Sequence, residues 1–125
     1  MLRLLMLVSG AFEALFGLSA LLEPALLIGA LGTESNEAAI FLTRILGAAT
    51  LGIGVTALLA RDHADTKGGL AAACGLALYN VLAAALILWT AAVIGLGDAV
   101  FWGAGVFHAL IGLLFVYALA IVRRR

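Results

Sequence analysis

Four hydrophobic stretches dominate this chain, and they restrict its fold more than any other feature of the sequence. We place them at 4–22, 38–60, 69–94 and 99–122. An apolar segment of about 20 residues crosses the hydrocarbon core of a bilayer as a helix. The residue-by-residue alternation that is typical of a transmembrane β-strand is absent. The sequence therefore predicts an all-α integral membrane protein in which residues 1–125 form a single bundle of four transmembrane helices.

The composition agrees with a chain that has little mass outside the membrane. Of its 125 residues, 66% are hydrophobic and 11% are charged, and the mean hydropathy is +1.24. A typical soluble domain is about half apolar and about a quarter charged. The formal net charge is zero, which argues against nucleic acid as a partner because proteins that bind it carry a basic surface.

The charged residues predict how the helices are oriented. Six of the seven Lys and Arg residues fall at one end of the predicted helices: Arg3, Arg61, Lys67, Arg123, Arg124 and Arg125. The charged residues of the opposite loops are all acidic: Glu23, Glu34, Glu37 and Asp98. By the positive-inside rule we expect both termini in the cytoplasm, and we expect the bacterial inner membrane as the location. Trp89 and Trp102 fall at the outer helix ends, as in an interfacial aromatic belt.

A secretory signal peptide is the alternative interpretation of the first stretch, because residues 1–20 combine a basic start with an apolar core. Glu13 interrupts that core, and no small-x-small cleavage site follows it. We therefore expect the first stretch to remain in place as a transmembrane helix.

Each predicted helix carries one strongly polar residue near mid-membrane depth: Glu13, Arg44, Asn80 and His108. Such side chains are costly in hydrocarbon, so they generally face the interior of a bundle and mark a site. At 1.5 Å per residue they lie roughly 14, 24, 16 and 21 Å from the cytoplasmic edge, within a slab about 10 Å thick. Each shares a helix face with Gly or Ala residues, which let transmembrane helices approach closely. The four side chains are therefore expected to point inward together.

An ion pair between Glu13 and Arg44 is the expected centre of this cluster, because each charge otherwise lacks compensation in a low dielectric. Asn80 can donate and accept hydrogen bonds around the pair, and His108 can hold or relay a proton. Tyr79 lies about 100° round its helix from Asn80, so it either joins the cluster or faces a neighbouring helix. Such a cluster can bind a ligand or a proton, or it can serve only to fix the register of the helices.

The segments between the hydrophobic stretches carry start and stop signals. Pro24 ends the first helix or opens the next segment. Residues 25–31 are too short to cross a membrane, so we expect them to lie in the outer interface or to fold back as a cap. Gly95 and Gly97 predict a tight turn between the last two helices. The residues able to cap the second, third and fourth transmembrane helices are Ser35 or Asn36, Asp65 or Thr66, and Asp98.

The sequence offers little for catalysis or for a bound cofactor. The single cysteine, Cys74, allows neither an intramolecular disulfide nor a C-x-x-C pair. His108 is the one intramembrane histidine, so a bis-His haem is not expected. Glu13 and His108 supply two metal ligands, short of a closed site. We therefore expect no catalytic residue, no metal and no cofactor. An enzyme stays open only for chemistry that needs one acid, one base and a hydrophobic substrate.

The second and the last hydrophobic stretches carry glycines within apolar runs. The second contains Arg44-Ile-Leu-Gly-Ala-Ala-Thr-Leu-Gly-Ile-Gly54, and the last contains Phe107-His-Ala-Leu-Ile-Gly-Leu-Leu-Phe115. Together with four short spans and Pro24 just beyond an early Gly-rich helix, these runs resemble the small DoxX-like bacterial membrane proteins. Some members of that group are linked to quinone-dependent or redox membrane systems. Most members are of unknown function, so the resemblance implies an architecture more than a reaction.

Glu13 lies in the run Ser9-Gly-Ala-Phe-Glu-Ala-Leu15, which is similar to the region of the membrane-embedded Glu in the small multidrug resistance transporters. Those proteins also have four helices and nearly this length. The resemblance implies exchange of a proton for a cationic substrate at Glu13. The chain departs from that family in its strong charge bias and in the Arg44 that is expected beside Glu13.

We expect a non-enzymatic membrane protein that binds a lipophilic ligand, a lipid or quinone headgroup, or that serves as an accessory subunit of a membrane complex. The expected ligand or proton site consists of Glu13, Arg44, Asn80, His108 and Tyr79. Membrane lipids, a second copy of the chain and subunits of such a complex are the expected partners. Two alternatives stay open: a proton-coupled transporter of the small multidrug type that uses Glu13, and a purely structural Glu–Arg cluster.

Overall fold

Helices account for nearly all of the computed structural model, which describes residues 1–122. The five α-helices are α1 (Leu2–Leu22), α2 (Pro24–Ala30), α3 (Glu37–Ala60), α4 (Lys67–Trp89) and α5 (Ala99–Val122). A 3₁₀ turn, Arg61–His63, follows α3, and a π-helical turn, Thr90–Ile94, extends α4. No strand occurs among the described residues. The basic run at 123–125, on which the predicted orientation partly rests, lies outside the described residues.

Four helices in the described part of the chain are long and apolar enough to cross a membrane: α1, α3, α4 and α5. The predicted all-α fold with four membrane-length helices is therefore confirmed, and each helix begins within two residues of its predicted start. The orientation with both termini in the cytoplasm stays a prediction. We call the end of the bundle that holds Met1 and the loop after α3 the termini end, and the opposite end the α2 end.

Side chains cap the N-termini of three of the long helices, at positions that the sequence indicates. The Asn36 side chain accepts a hydrogen bond from the Ala39 amide at 2.9 Å, and the Thr66 hydroxyl accepts one from Gly69 at 3.1 Å. Asp98 Oδ1 accepts from the two amides at the start of α5, at 2.9 and 3.0 Å. These caps satisfy amides that have no partner within the first turn of a helix. Of the alternatives in the first two loops, Asn36 and Thr66 are the capping residues.

The short helix α2 closes one end of the bundle, as the cap interpretation of residues 25–31 predicts. Pro24 is its first residue, where a missing amide hydrogen costs nothing. The Ala30 carbonyl oxygen at its far end accepts a hydrogen bond from the Asp98 amide at 3.1 Å. This bond ties α2 to the turn between α4 and α5.

Helices α1 and α3 form an antiparallel hairpin whose backbones touch. Gly54 faces Gly10, and Gly47 faces Gly17: a Cβ built on the first residue of either pair would lie 2.7 Å from the carbonyl oxygen of the second. Small residues that repeat every seven positions on both helices allow this approach, which is how helices associate in lipid. The two glycine pairs hold α1 in a fixed register against α3.

Helices α4 and α5 form a second antiparallel hairpin. The turn between them contains Gly95 and Gly97 with φ of 76° and 102°, a left-handed conformation that glycine adopts without steric cost. A Cβ on Gly112 of α5 would lie 3.0 Å from Val81 of α4, so these helices also pack closely. The predicted tight turn between the last two helices is therefore confirmed.

The apolar core lies between the two hairpins, near the termini end. Met6, Leu76 and Phe115 are almost completely buried there. At the same end the Arg3 guanidinium pairs with the Asp62 carboxylate at 2.7 Å, which joins the start of α1 to the turn after α3. Because this core fills the termini half of the space between the hairpins, the polar residues and the open volume fall in the other half.

Candidate functional site

A layer of polar side chains covers the apolar core at mid-height of the bundle. Ser9 and Glu13 of α1 and Asn80 of α4 are fully buried, and His108 of α5 is 5% exposed. Both Ser9 and Glu13 lie on the face of α1 that is turned towards α4 and α5, because residues four apart share one helix face. Three of the predicted site residues are thus brought together, from three different helices.

Asn80 is at the centre of this layer, and its hydrogen bonds fix its orientation. Its Nδ2 donates to the Leu76 carbonyl oxygen at 2.9 Å and to Ser9 Oγ at 3.2 Å. A carbonyl oxygen can only accept, so the amide nitrogen must be on that side and Oδ1 on the other. Oδ1 lies 2.9 Å from His108 Nδ1. Nδ1 therefore carries a hydrogen and donates it to Asn80, which leaves Nε2 unprotonated in a neutral imidazole.

The Glu13 carboxyl lies beside His108, and the described residues do not satisfy it. Its Oε1 is 3.7 Å from His108 Nδ1, which is too long for a hydrogen bond. Neither carboxyl oxygen accepts a hydrogen bond from any residue in 1–122. The Tyr79 hydroxyl approaches the same carboxyl without the geometry of a formed hydrogen bond. Glu13 is thus a fully buried carboxyl group without a partner, which is costly for the fold.

Three aromatic rings enclose the His108 imidazole. Phe12, Tyr79 and Phe107 lie with their ring centroids 5.7, 5.7 and 5.8 Å from it, at interplanar angles of 84°, 82° and 72°. These are edge-to-face arrangements, which are favourable for aromatic pairs. Of the two alternatives for Tyr79, the structure has the one in which it joins the cluster. The rings restrict rotation of His108 and exclude bulk solvent from it.

Arg44 lies outside this cluster, and the predicted Glu13–Arg44 ion pair is wrong. Arg44 is exposed on α3, and none of the ion pairs in residues 1–122 includes it. The buried residues of α3 are Gly47, Thr50, Gly54 and Ala57. Arg44 lies about 100° round the helix from the centre of that face. Arg44 lies three residues before Gly47, and this spacing suggested that Arg44 points inward with the glycine. Gly47 is itself at the edge of the buried face, so Arg44 falls outside that face.

A cavity of about 520 Å³ lies between the polar layer and α2. All four long helices contribute to its walls, and Leu27, Ile28 and Leu31 from α2 and its end form the roof. Fourteen of its 17 lining residues are apolar, and the other three are Thr43, Tyr79 and His108. Tyr79 and His108 belong to the polar layer, so the cavity has an apolar body and a polar floor.

The cavity reaches the lipid-facing surface between α3 and α4. Leu46 of α3 and Leu82 and Leu86 of α4 line it, and they are 46%, 53% and 65% exposed. Side chains that both line a cavity and face outward mark an opening in its wall. The cavity is therefore reachable from the side of the bundle.

Sequence reasoning missed two parts of this site. Ser9 lies four residues before Glu13 on the same helix face, and that spacing could have identified it. The sequence predicts that residues 25–31 lie in the outer interface or fold back as a cap, but it does not indicate that the cap leaves a cavity beneath it. Among residues 1–122, no three His, Cys, Asp or Glu residues lie together as a metal site requires.

The structure defines the class of this protein as a small all-α bundle with four membrane-length helices, a buried polar layer and an apolar cavity. Comparisons with protein-family models, curated proteins and solved structures found no match for this chain. The resemblances to DoxX-like proteins and to small multidrug resistance transporters stay predictions.

Proposed function

We propose that this chain is a non-enzymatic integral membrane protein that binds a lipophilic small molecule in the cavity between the polar layer and α2. The observation that carries the proposal is the cavity itself, about 520 Å³ in volume with an apolar body and a polar floor. Pockets for small molecules typically measure about 300–1,000 Å³ and combine apolar walls with a few polar groups that orient the ligand. A lipid or quinone headgroup with part of its chain suits such a space.

The polar layer supports a defined position for the headgroup. His108 and Tyr79 line the inner end of the cavity, and Asn80 and the three surrounding rings hold His108 in place. A binding group that is already fixed loses little conformational entropy when the ligand arrives. The headgroup is therefore seated on His108 and Tyr79, with its apolar part against the leucine and phenylalanine side chains above.

The lateral opening supports access from the bilayer rather than from water. The exposed leucines at 46, 82 and 86 border the opening, so a hydrophobic chain can remain in lipid while the head occupies the cavity. With the termini in the cytoplasm, as the positive-inside rule predicts, this opening lies in the outer half of the membrane.

A cavity-filling substitution tests the proposal. Ala83 lines the cavity, whereas Ala85, two residues along the same helix, is exposed and does not. The wild type, Ala83→Phe and Ala85→Phe are extracted with their native lipids into polymer nanodiscs, and bound lipophiles are quantified by mass spectrometry. We expect one species, enriched to about one molecule per chain, in the wild type and Ala85→Phe and its loss in Ala83→Phe. Equal amounts in all three proteins would contradict the proposal.

Proton-coupled transport is a second candidate, and the unpartnered Glu13 favours it. An arginine paired with Glu13 would argue against a transporter, because it would neutralise the carboxyl that must exchange the proton. Arg44 lies outside the cluster, and no Lys or Arg in residues 1–122 pairs with Glu13. Proton flux into liposomes that contain the wild type, Glu13→Gln or the exposed control Glu37→Gln distinguishes the two functions. Flux that Glu13→Gln abolishes and Glu37→Gln preserves would favour the transporter.

A further inference from the structure

At the cavity floor, one hydrogen-bond acceptor is left without a donor among the described residues. Both donor hydrogens of the Asn80 amide are used, on Leu76 and Ser9, and the Nδ1 hydrogen of His108 is used on Asn80. The remaining ring nitrogen, His108 Nε2, has no protein partner within residues 1–122. Because Nδ1 is turned towards Asn80, the opposite edge of the imidazole, which carries Nε2, is the edge available to the cavity.

The geometry also indicates the charge state of the floor. An imidazolium and a carboxylate in a low dielectric would be expected to close to a hydrogen bond of about 2.7–2.9 Å. His108 and Glu13 instead stand 3.7 Å apart, and Nδ1 bonds to the neutral Asn80 amide. This arrangement fits a neutral His108 beside a neutral Glu13. In that state Nε2 presents a lone pair and is an acceptor.

The charges around the cavity further restrict which headgroups can bind. None of the described residues that line the cavity is a Lys or an Arg, and an acidic side chain lies just beneath the floor. A phosphate headgroup would bring a negative charge into an apolar space without a compensating cation, which is strongly unfavourable. A group that only accepts hydrogen bonds, such as an ester or a quinone carbonyl, would leave Nε2 without a partner.

We infer, building on the proposed function, that the ligand is a neutral amphiphile whose head carries a hydroxyl group and donates it to His108 Nε2. The Tyr79 ring packs edge-on against His108 and also lines the cavity, so it contacts the body of the ligand beside the hydroxyl group. The chemical class is that of phenols, hydroquinones and long-chain alcohols, as opposed to phospholipids. The apolar walls then select a ring or a chain with no further polar group.

Three amphiphiles that differ only at the head test this inference: para-nonylphenol, its methyl ether and its phosphate monoester. Binding to the wild type in phosphatidylcholine nanodiscs is measured by equilibrium dialysis against empty nanodiscs. We expect the phenol to bind about tenfold more tightly than the ether, because the ether leaves a buried acceptor unpaired. We expect the phosphate to bind more weakly than both.

His108→Phe adds an independent readout, with His63→Phe in the exposed loop as the matched control. The phenylalanine ring retains the aromatic packing but removes Nε2. We expect the phenol to fall to the affinity of the ether in His108→Phe, while the affinity of the ether stays unchanged. His63→Phe is expected to match the wild type for both ligands. If His108→Phe does not fold, the three-ligand comparison in the wild type decides the question by itself.

The outcomes separate this inference from the proposed function. If neither the phenol nor the ether binds the wild type above empty nanodiscs, the proposed function fails, and the inference fails with it. If the two bind equally, the cavity binds lipophiles but the hydroxyl inference is wrong. Tighter binding of the ether would also overturn it, because apolar contact would then outweigh any hydrogen bond from the hydroxyl group. Tighter binding of the phosphate would overturn it as well, because it would indicate a floor that donates hydrogen bonds or carries a positive charge.

Discussion

Replacing Gly54 by alanine provides the sharpest test of how this bundle is held together. Gly54 lies on α3 where that helix touches α1, opposite Gly10. A Cβ at this position would lie 2.5 Å from the Ala14 amide nitrogen and 2.7 Å from the Gly10 carbonyl oxygen. Both obstacles are backbone atoms, so no side-chain rotation can remove the conflict. The helices themselves must move apart.

The size of the effect follows from these distances. Ordinary van der Waals contact begins near 3.4 Å, so α1 and α3 must separate by about 0.9 Å at this level. A gap of that size forfeits about a quarter to a half of the dispersion energy of the neighbouring contacts. Overpacking of a close interface costs about 1–3 kcal/mol. We expect Gly54→Ala to lower the free energy of unfolding by about 2 kcal/mol.

The matched control is Gly52→Ala, the same substitution two residues away on the same helix. No described atom outside the helix lies within 4 Å of a Cβ at Gly52. Both variants gain the same helix propensity, so the difference between them isolates the packing of α1 against α3. Unfolding is followed by far-ultraviolet circular dichroism in mixed micelles as the fraction of sodium dodecyl sulfate rises.

Equal stability of the two variants, within about 0.5 kcal/mol, would refute the reasoning. It would mean that the α1–α3 backbones are not in contact at Gly54. A loss of stability in Gly54→Ala but not in Gly52→Ala would support close packing of α1 against α3. It would also support a fixed position for Glu13, which lies on α1.

Three further substitutions test which residues belong to the polar layer, by the same unfolding assay. Arg44→Leu is expected to leave the free energy of unfolding unchanged or slightly higher, because Arg44 is exposed; a loss of about 3–5 kcal/mol would instead indicate a buried ion pair. Asn80→Leu is expected to cost about 2–4 kcal/mol because it removes the partners of both Ser9 and His108. Ser9→Ala, which removes one of these bonds, is expected to cost about 1 kcal/mol. A cost for Asn80→Leu no larger than that for Ser9→Ala would contradict the central position of Asn80.

The helices and their boundaries could be predicted because their signals are local. Segment length and hydropathy determine which stretches can cross a bilayer, and Asn36, Thr66 and Asp98 each cap the helix that follows in sequence. A short segment behind Pro24 cannot span a membrane, so its length excludes a further transmembrane helix and leaves the interface or a cap as its position. None of these inferences depends on knowing which helices are neighbours.

The composition of the site could be predicted only in part, because it depends on which helices meet. A helical wheel places Asn80 and His108 on small-residue faces, and both are buried together. The same argument failed for Arg44, because α3 touches the bundle mainly along a narrow glycine stripe and exposes the rest of its surface. The width of the buried face of a helix is set by its neighbours, and one sequence does not specify it.

The two hairpins differ in how they are packed, and this difference determines where a ligand can bind. Within the α1–α3 hairpin, glycine pairs bring the backbones together and leave no space. Between the hairpins the apolar core gives way to the polar layer and then to the cavity. Glu13 lies at this transition, fully buried and without a partner in the described structure. A leucine there would stabilise an empty bundle better, so the requirements of the fold do not account for Glu13. The proposed headgroup beside His108 would give Glu13 a role, because the carboxyl lies next to the histidine that is proposed to hold that headgroup.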